Sequence, residues 1–211
     1  MPEPILEPFT PKNTTILMVD YSVGFVNTFR SHNVNEHITA TVALARTALG
    51  FRSGFVVNMG SGQKPYPQLV AAIGDHPIVY RGGEYNALDS ATVLDAVKKT
   101  GRKRLAIAGI STDGCVIQTV FGALRLGYTV AVVEDATAGL TREAHDISIR
   151  RMVQAGAVPV SWLGLATEFQ MNWEQQDTAP AYFGLIAEAS PGLSMGIQME
   201  HEAAAGAGAG R

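Results

Sequence analysis

Three residues of the 211-residue chain have types and placements suited to covalent chemistry: Asp20, Arg81 and Cys115. Cys115 is the only cysteine, and it stands in Gly109-Ile110-Ser111-Thr112-Asp113-Gly114-Cys115-Val116. An apolar run, Leu105-Ala106-Ile107-Ala108, precedes that stretch, and Val116, Val120 and Leu124 follow at helical spacing. The junction therefore reads as strand, tight turn, helix. A thiol at a helix start meets unpaired N–H groups and the positive end of the dipole, which predicts a depressed pKa and a thiolate. The same N–H groups suit a developing oxyanion. Most free cysteines are small buried hydrophobes, so the stretch alone leaves a structural role open.

Asp20 closes the apolar run 15–19, and Arg81 closes the β-branched run 77–80. An aspartate beside a thiol can take its proton and later return it to a leaving amine. A guanidinium beside both supplies counter-charge to the carboxylate and to a thiolate. The commoner role for an aspartate at such a position is to cap the following turn. Histidine is the other base used with thiols. None of His32, His37, His76, His145 and His201 directly follows a strand end, and each reads as a surface residue. No His/Cys/Asp/Glu cluster has metal-ligand spacing, so neither metal nor cofactor is expected.

The elements that must carry these residues alternate along the chain. Apolar runs at 15–19, 55–59, 77–80, 105–108, 128–133 and 158–161 read as six strands. Between them lie helical patterns, one opened by Asn33 and Glu36 in the manner of a capping box. Gly127 and Gly156 close two others. Pro159 places the sixth strand at an edge. Strands alternating with helices predict an α/β domain with an open, mostly parallel sheet. Such sheets bind ligands beyond the carboxyl ends of their strands, where strand order reverses. Asp20, Arg81 and Cys115 all fall on that rim, and the rim loops add Phe25, Tyr85 and Asn86 as candidate pocket residues. The loop Gly60-Ser61-Gly62-Gln63-Lys64-Pro65 is glycine-rich, but it matches neither a Walker A nor a dinucleotide fingerprint.

Four prolines in residues 1–13 predict an extended surface segment, and 14–198 reads as a single domain. A helix is expected over 162–175, with Trp162, Leu165, Phe169 and Trp173 on one face; that face suits either ordinary packing or a homo-oligomer contact. Periodicity fades after Gln176, and residues 199–211 read as a disordered tail rich in alanine and glycine. A net charge of −3 without a basic stripe argues against nucleic acid. No apolar window approaches a membrane span, so no membrane partner is expected. A single cysteine without a recognisable leader fits the cytoplasm.

Asp20 after the first strand, a basic residue after the third, and Gly-Ile-Ser-Thr-Asp-Gly-Cys-Val before a helix resemble the isochorismatase-like cysteine hydrolases. That family includes nicotinamidases, N-carbamoylsarcosine amidase and the YcaC-type hydrolases, and the resemblance runs from about residue 14 to residue 175. The segments Arg81-Gly82-Gly83-Glu84-Tyr85-Asn86-Ala87 and Trp162-Leu163-Gly164-Leu165-Ala166-Thr167-Glu168 resemble the YcaC-type branch most. The resemblance implies a three-layer α/β/α fold with Rossmann-like strand order and a triad on Asp20, Arg81 and Cys115. It also implies a cis peptide at Ile110–Ser111, with the N–H groups of Ser111 and Cys115 as the oxyanion hole. Arg81 stands where the family usually has lysine, and arginine cannot give up its proton, so its role would be electrostatic and positional. The metal ligands of nicotinamidases have no counterpart. The implied activity is cleavage of a C–N bond in a small amide-like substrate through a thioester, by a homo-oligomer. The alternatives are a redox or sensing thiol protein, although no resolving cysteine is present, and a small-molecule-binding protein that keeps the fold without turnover.

Overall fold

In the computed structural model, residues 7–208 are described here, with side chains described to residue 202. Six strands form one sheet: β1 (Thr14–Val19), β2 (Gly54–Gly60), β3 (Ile78–Arg81), β4 (Arg104–Gly109), β5 (Thr129–Val133) and β6 (Val158–Val160). Their order is β3-β2-β1-β4-β5-β6, and every neighbouring pair is parallel. The four central strands are mostly apolar and buried, as expected where helices cover both faces. Alternation along β1 divides the core. Ile16 and Met18 face one layer, and Leu17 and Val19 the other. The first layer holds α1 (Val34–Gly50), α2 (Pro67–Ile73), α6 (Trp162–Gln170) and α7 (Ala179–Ala189); the second holds α3 (Ala91–Lys99), α4 (Ile117–Arg125) and α5 (Arg142–Gln154). The last helix, α8 (Pro191–Gly208), follows α7.

Local chemistry accounts for several boundaries. Asn33 caps α1 by accepting from the N–H groups of Asn35 and Glu36. Pro159 lies on the edge strand β6, where a missing donor is tolerated. No helix is long and apolar enough to cross a membrane, among the described residues.

Three expectations are corrected. Residues 7–13 are not simply an extended surface segment: Phe9 is buried in the first layer with the Arg104 guanidinium over its ring, and Arg104 also pairs with Glu7. Residues 1–6 of that segment lie outside the described part. The helix expected over 162–175 ends at Gln170 because Met171 turns to φ +55°, which leaves Trp173 exposed and off the buried face of Trp162, Leu165 and Phe169. Of the tail expected to be disordered over 199–211, residues up to Gly208 continue α8, and residues 209–211 lie outside the described part. Alanine is the best helix former, and within a helix already begun at Pro191 it outweighs the interspersed glycines.

The order of strands reverses between β1 and β4, where the rim splits open. Gly109 closes β4 opposite Val19, and a Cβ there would lie 2.0 Å from the Val19 carbonyl oxygen. Glycine is required for the two backbones to meet directly beneath Asp20. Gly109→Ala should therefore destabilise the protein by at least ~2 kcal/mol in denaturant unfolding. An unchanged midpoint would mean that β1 and β4 separate at that level without cost.

Candidate functional site

Asp20 directly follows β1 and adopts φ +58°, a left-handed conformation that aspartate tolerates better than most residues. Its N–H donates to the Asn58 carbonyl, its own carbonyl accepts from Ser22, and its carboxylate turns over the end of β2. Asp20 Oδ1 accepts from the Gly60 N–H at 3.0 Å. Arg81, the last residue of β3, grips the same carboxylate with both ends of its fork: Nη1 to Oδ1 at 2.8 Å and Nη2 to Oδ2 at 2.6 Å. Nη1 also donates to Asn58 Oδ1 at 2.8 Å, and Nε to the Glu84 carbonyl at 2.9 Å. Asn58 is in turn fixed by its Nδ2, which donates to the Val79 carbonyl. The pair is almost fully buried, with Asp20 1% and Arg81 5% exposed. Burial works against the Arg81 charge, but the hydrogen bond and charge of Asp20 outweigh it and raise the guanidinium above its ordinary value.

Cys115 comes to the same place from β4. It sits in a single π-helical turn, Thr112–Val116, that precedes α4, rather than at the first position of an α-helix. Such turns recur at functional sites because they re-aim one side chain. The peptide Ile110–Ser111 is cis. The half-buried thiol lies within reach of both Asp20 and Arg81. The expected depressed pKa is overturned. Burial pushes the thiol up, the nearby charge of Asp20 pushes it further, and Arg81 offsets only part, so that it titrates at about 12. The resting group is a neutral thiol near the Asp20 carboxylate, not a thiolate.

Beside the turn lies a cleft of about 570 Å³ whose walls include Tyr85, Asn86, Ser111, Asp113, Gly114 and Gln118. Tyr85 is 69% exposed and free to meet a ligand. Asn86 shapes the wall instead: Oδ1 accepts from Leu88 N–H, Nδ2 donates to Asp89, and its side chain lies where a Cβ on Gly122 of α4 would be. Phe25 does not line this cleft; it packs, partly buried, against the first layer.

Sequence reasoning missed the groups that hold the ion pair. Asn58 carried a signal, a lone amide inside a buried apolar strand. The Gly60 N–H and the Glu84 carbonyl carried none, because any residue has them. The histidines are the clearest correction. His37 and His145 are buried, not on the surface, and His32 is partly buried beside them. Burial first, then the neighbouring histidines, lowers His37 to about 3 and His145 to about 4, so both are neutral near pH 7. Among the described residues no three His, Cys, Asp or Glu side chains converge as metal ligands do.

A family model for the isochorismatase domain matches residues 14–163. The chain is 30% identical over 165 residues to the probable hydrolase YcaC of Escherichia coli (strain K12), covering 76% of this chain and 79% of that protein. It is 30% identical over 132 residues to a probable inactive nicotinamidase of Arabidopsis thaliana, covering 62% of this chain and 60% of that protein. Among solved structures, YcaC from Pseudomonas aeruginosa with hexane-2,5-diol and covalent acrylamide superposes with a TM-score of 0.87 at 26% identity, over 94% of this chain and 100% of the other. Escherichia coli YcaC, described as an octameric hydrolase of unknown specificity, superposes with a TM-score of 0.86 at 26% identity, over 96% and 99% of the two chains. With its parallel six-stranded sheet and these matches over most of its length, the chain belongs to the isochorismatase family and is similar within it to the YcaC hydrolases.

Proposed function

We propose that this protein is a cysteine hydrolase that cleaves a C–N bond of a small amide-like substrate through a thioester, with Asp20, Arg81 and Cys115 as its catalytic residues. The observation that carries the reading is the Asp20 carboxylate, clamped by the Arg81 fork and set against the only thiol.

Because the thiol is protonated at rest, deprotonation accompanies attack. The Cys115 sulfur bonds to the substrate carbonyl carbon as Asp20 takes the thiol proton. The carbonyl electrons move to oxygen, where the N–H groups of Ser111 and Cys115 receive the oxyanion. When the tetrahedral adduct collapses, the C–N bond breaks and Asp20 delivers its proton to the departing amine. Water then attacks the thioester while Asp20 takes a water proton; the acid leaves, and the proton returns to sulfur. Arg81 transfers no proton. It offsets the negative charge that Asp20 and the developing thiolate would otherwise share. The cleft walled by Tyr85, Asn86, Ser111 and Gly114 is not lined by Asp20, Arg81 or Cys115, but Gly114 is the chain neighbour of Cys115, which supports substrate entry from that side. The covalent acrylamide of the Pseudomonas aeruginosa YcaC structure supports a reactive nucleophile in this fold, since acrylamide is an electrophile. The octamer of Escherichia coli YcaC supports a homo-oligomer here. A lone thiol suits a reducing compartment such as the cytoplasm.

The Arabidopsis thaliana relative, named as probably inactive, favours one second reading: a binding protein that keeps the fold without turnover. A screen of small amides, ureides and nitriles for released ammonia separates the two. Turnover is expected from the native protein and not from Cys115→Ala; equal ammonia from both would end the cysteine reading.

The protonation state has its own test. Iodoacetamide alkylation of Cys115 should still be accelerating above the free-thiol value of about 8.5. Asp20→Asn removes the charge that raises the thiol, so it should speed alkylation at pH 8 while abolishing turnover. Slower alkylation in Asp20→Asn would mean that Asp20 does not act on the sulfur.

Arg81→Lys keeps the charge but loses the fork, and kcat/KM should fall by about tenfold, roughly 1.4 kcal/mol of transition-state stabilisation. Arg81→Ala should fall by at least about a hundredfold, since a buried charge is left without its partner. Equal activity in the native protein and Arg81→Ala would assign the arginine to structure alone.

A further inference from the structure

The turn that carries Cys115 is gripped from one side by the segment running from the end of β5 into α5. The Thr112 N–H donates to the Ala138 carbonyl at 2.9 Å, and Thr112 Oγ1 lies 2.8 Å from His145 Nδ1. Gly139 allows that approach, because a Cβ on it would sit 3.2 Å from the His145 Cβ and 3.3 Å from Thr112 Oγ1. Thr112 is fully buried and His145 is 1% exposed, so no bulk water competes for this hydrogen bond. The segment is itself pinned: the Gly139 N–H donates to Ser31 Oγ, and Arg142 donates to the Ser31 carbonyl.

We propose that His145 is a positioning residue for the nucleophile, acting through the Thr112 hydroxyl to hold the π-helical turn with the thiol against Asp20. The inference rests on the reading of Cys115 as the nucleophile. Among the described residues His145 Nε2 has no hydrogen-bond partner, and it faces Glu134 Oε1 at 3.8 Å. The acidic neighbour selects the tautomer with hydrogen on Nε2. Nδ1 then accepts, and the Thr112 O–H donates. The His32 ring packs edge-on at 4.8 Å, and the charges of Arg142, Asp146 and Asp113 also act on the imidazole. A neutral ring in that setting keeps one fixed acceptor for Thr112. No group of the proposed reaction is a partner of His145, so its effect must pass through the turn.

The test reads the thiol and needs no substrate. Thr112→Val keeps the shape and removes the donor; His145→Phe keeps a ring and removes the acceptor. Freed from this grip, the thiol should leave Asp20 and regain solvent, and the inflection of iodoacetamide alkylation against pH should fall by at least about one unit toward the free-thiol value. Thr112→Ser should restore the native inflection. The double variant should go no further than either single one, since both break one interaction. If His145→Phe fails to fold, the pair Thr112→Val and Thr112→Ser decides the matter. A lower melting temperature with an unmoved inflection would show that His145 serves stability only and would overturn the proposal. Absence of ammonia from the native protein would sink the hydrolase reading while leaving this result interpretable.

Discussion

The site depends on one buried ion pair, the fork of Arg81 on the carboxylate of Asp20. Removing two charges from water costs several kcal/mol each, and their attraction recovers this only when geometry is good and spare donors and acceptors are used. Here they are used: Asn58 and the Glu84 carbonyl accept from the guanidinium, and the Gly60 N–H donates to the carboxylate. Such an arrangement adds little stability over well-packed apolar side chains. What it provides is position, since three strands must be in register for all five hydrogen bonds to form. Gly60 lies opposite Arg81 in the β2–β3 ladder, and Val19, the residue before Asp20, lies opposite Asn58 in β1–β2.

The same pair sets the electrostatics of the sulfur. A helix start alone favours a thiolate, and the sequence suggests one. The partial burial of Cys115 and then the charge of the carboxylate reverse that preference. In the proposed reaction the thiol therefore stays neutral until a bound carbonyl draws its proton to Asp20. Arg81 limits the cost of that transfer without removing it.

Around this centre the polar residues of the interior form a chain of supports. Asn58 holds Arg81, the Ser31–Gly139 contact pins the segment beside the Cys115 turn, and His145 reaches Thr112. A buried ring nitrogen that lacks a hydrogen-bond partner is costly because water cannot reach it either. His37, stacked on Tyr21 and edge-on to Phe29, is buried with both ring nitrogens unpartnered among the described residues. Its neutrality follows from that burial, not from any local sequence pattern.

Much of the fold was legible in the chain because its signals are local. Apolar runs, the Asn33 cap, closing glycines and Pro159 each act within a few residues, and together they imply six strands covered on both faces. The placement of Asp20, Arg81 and the Cys115 motif at strand ends was legible for the same reason: parallel strands all deliver their carboxyl ends to one rim. What only the tertiary structure decided was everything that depends on neighbours distant in sequence. The burial of His145 and His37, the resting state of the Cys115 thiol, the burial of Phe9 and the roles of the Gly60 N–H and the Glu84 carbonyl belong here. Burial and charge fall off over a few ångströms in space, and residues that close can be sixty or a hundred positions apart along the chain. Periodicity and spacing record which face a residue takes, but not which charge it will meet there.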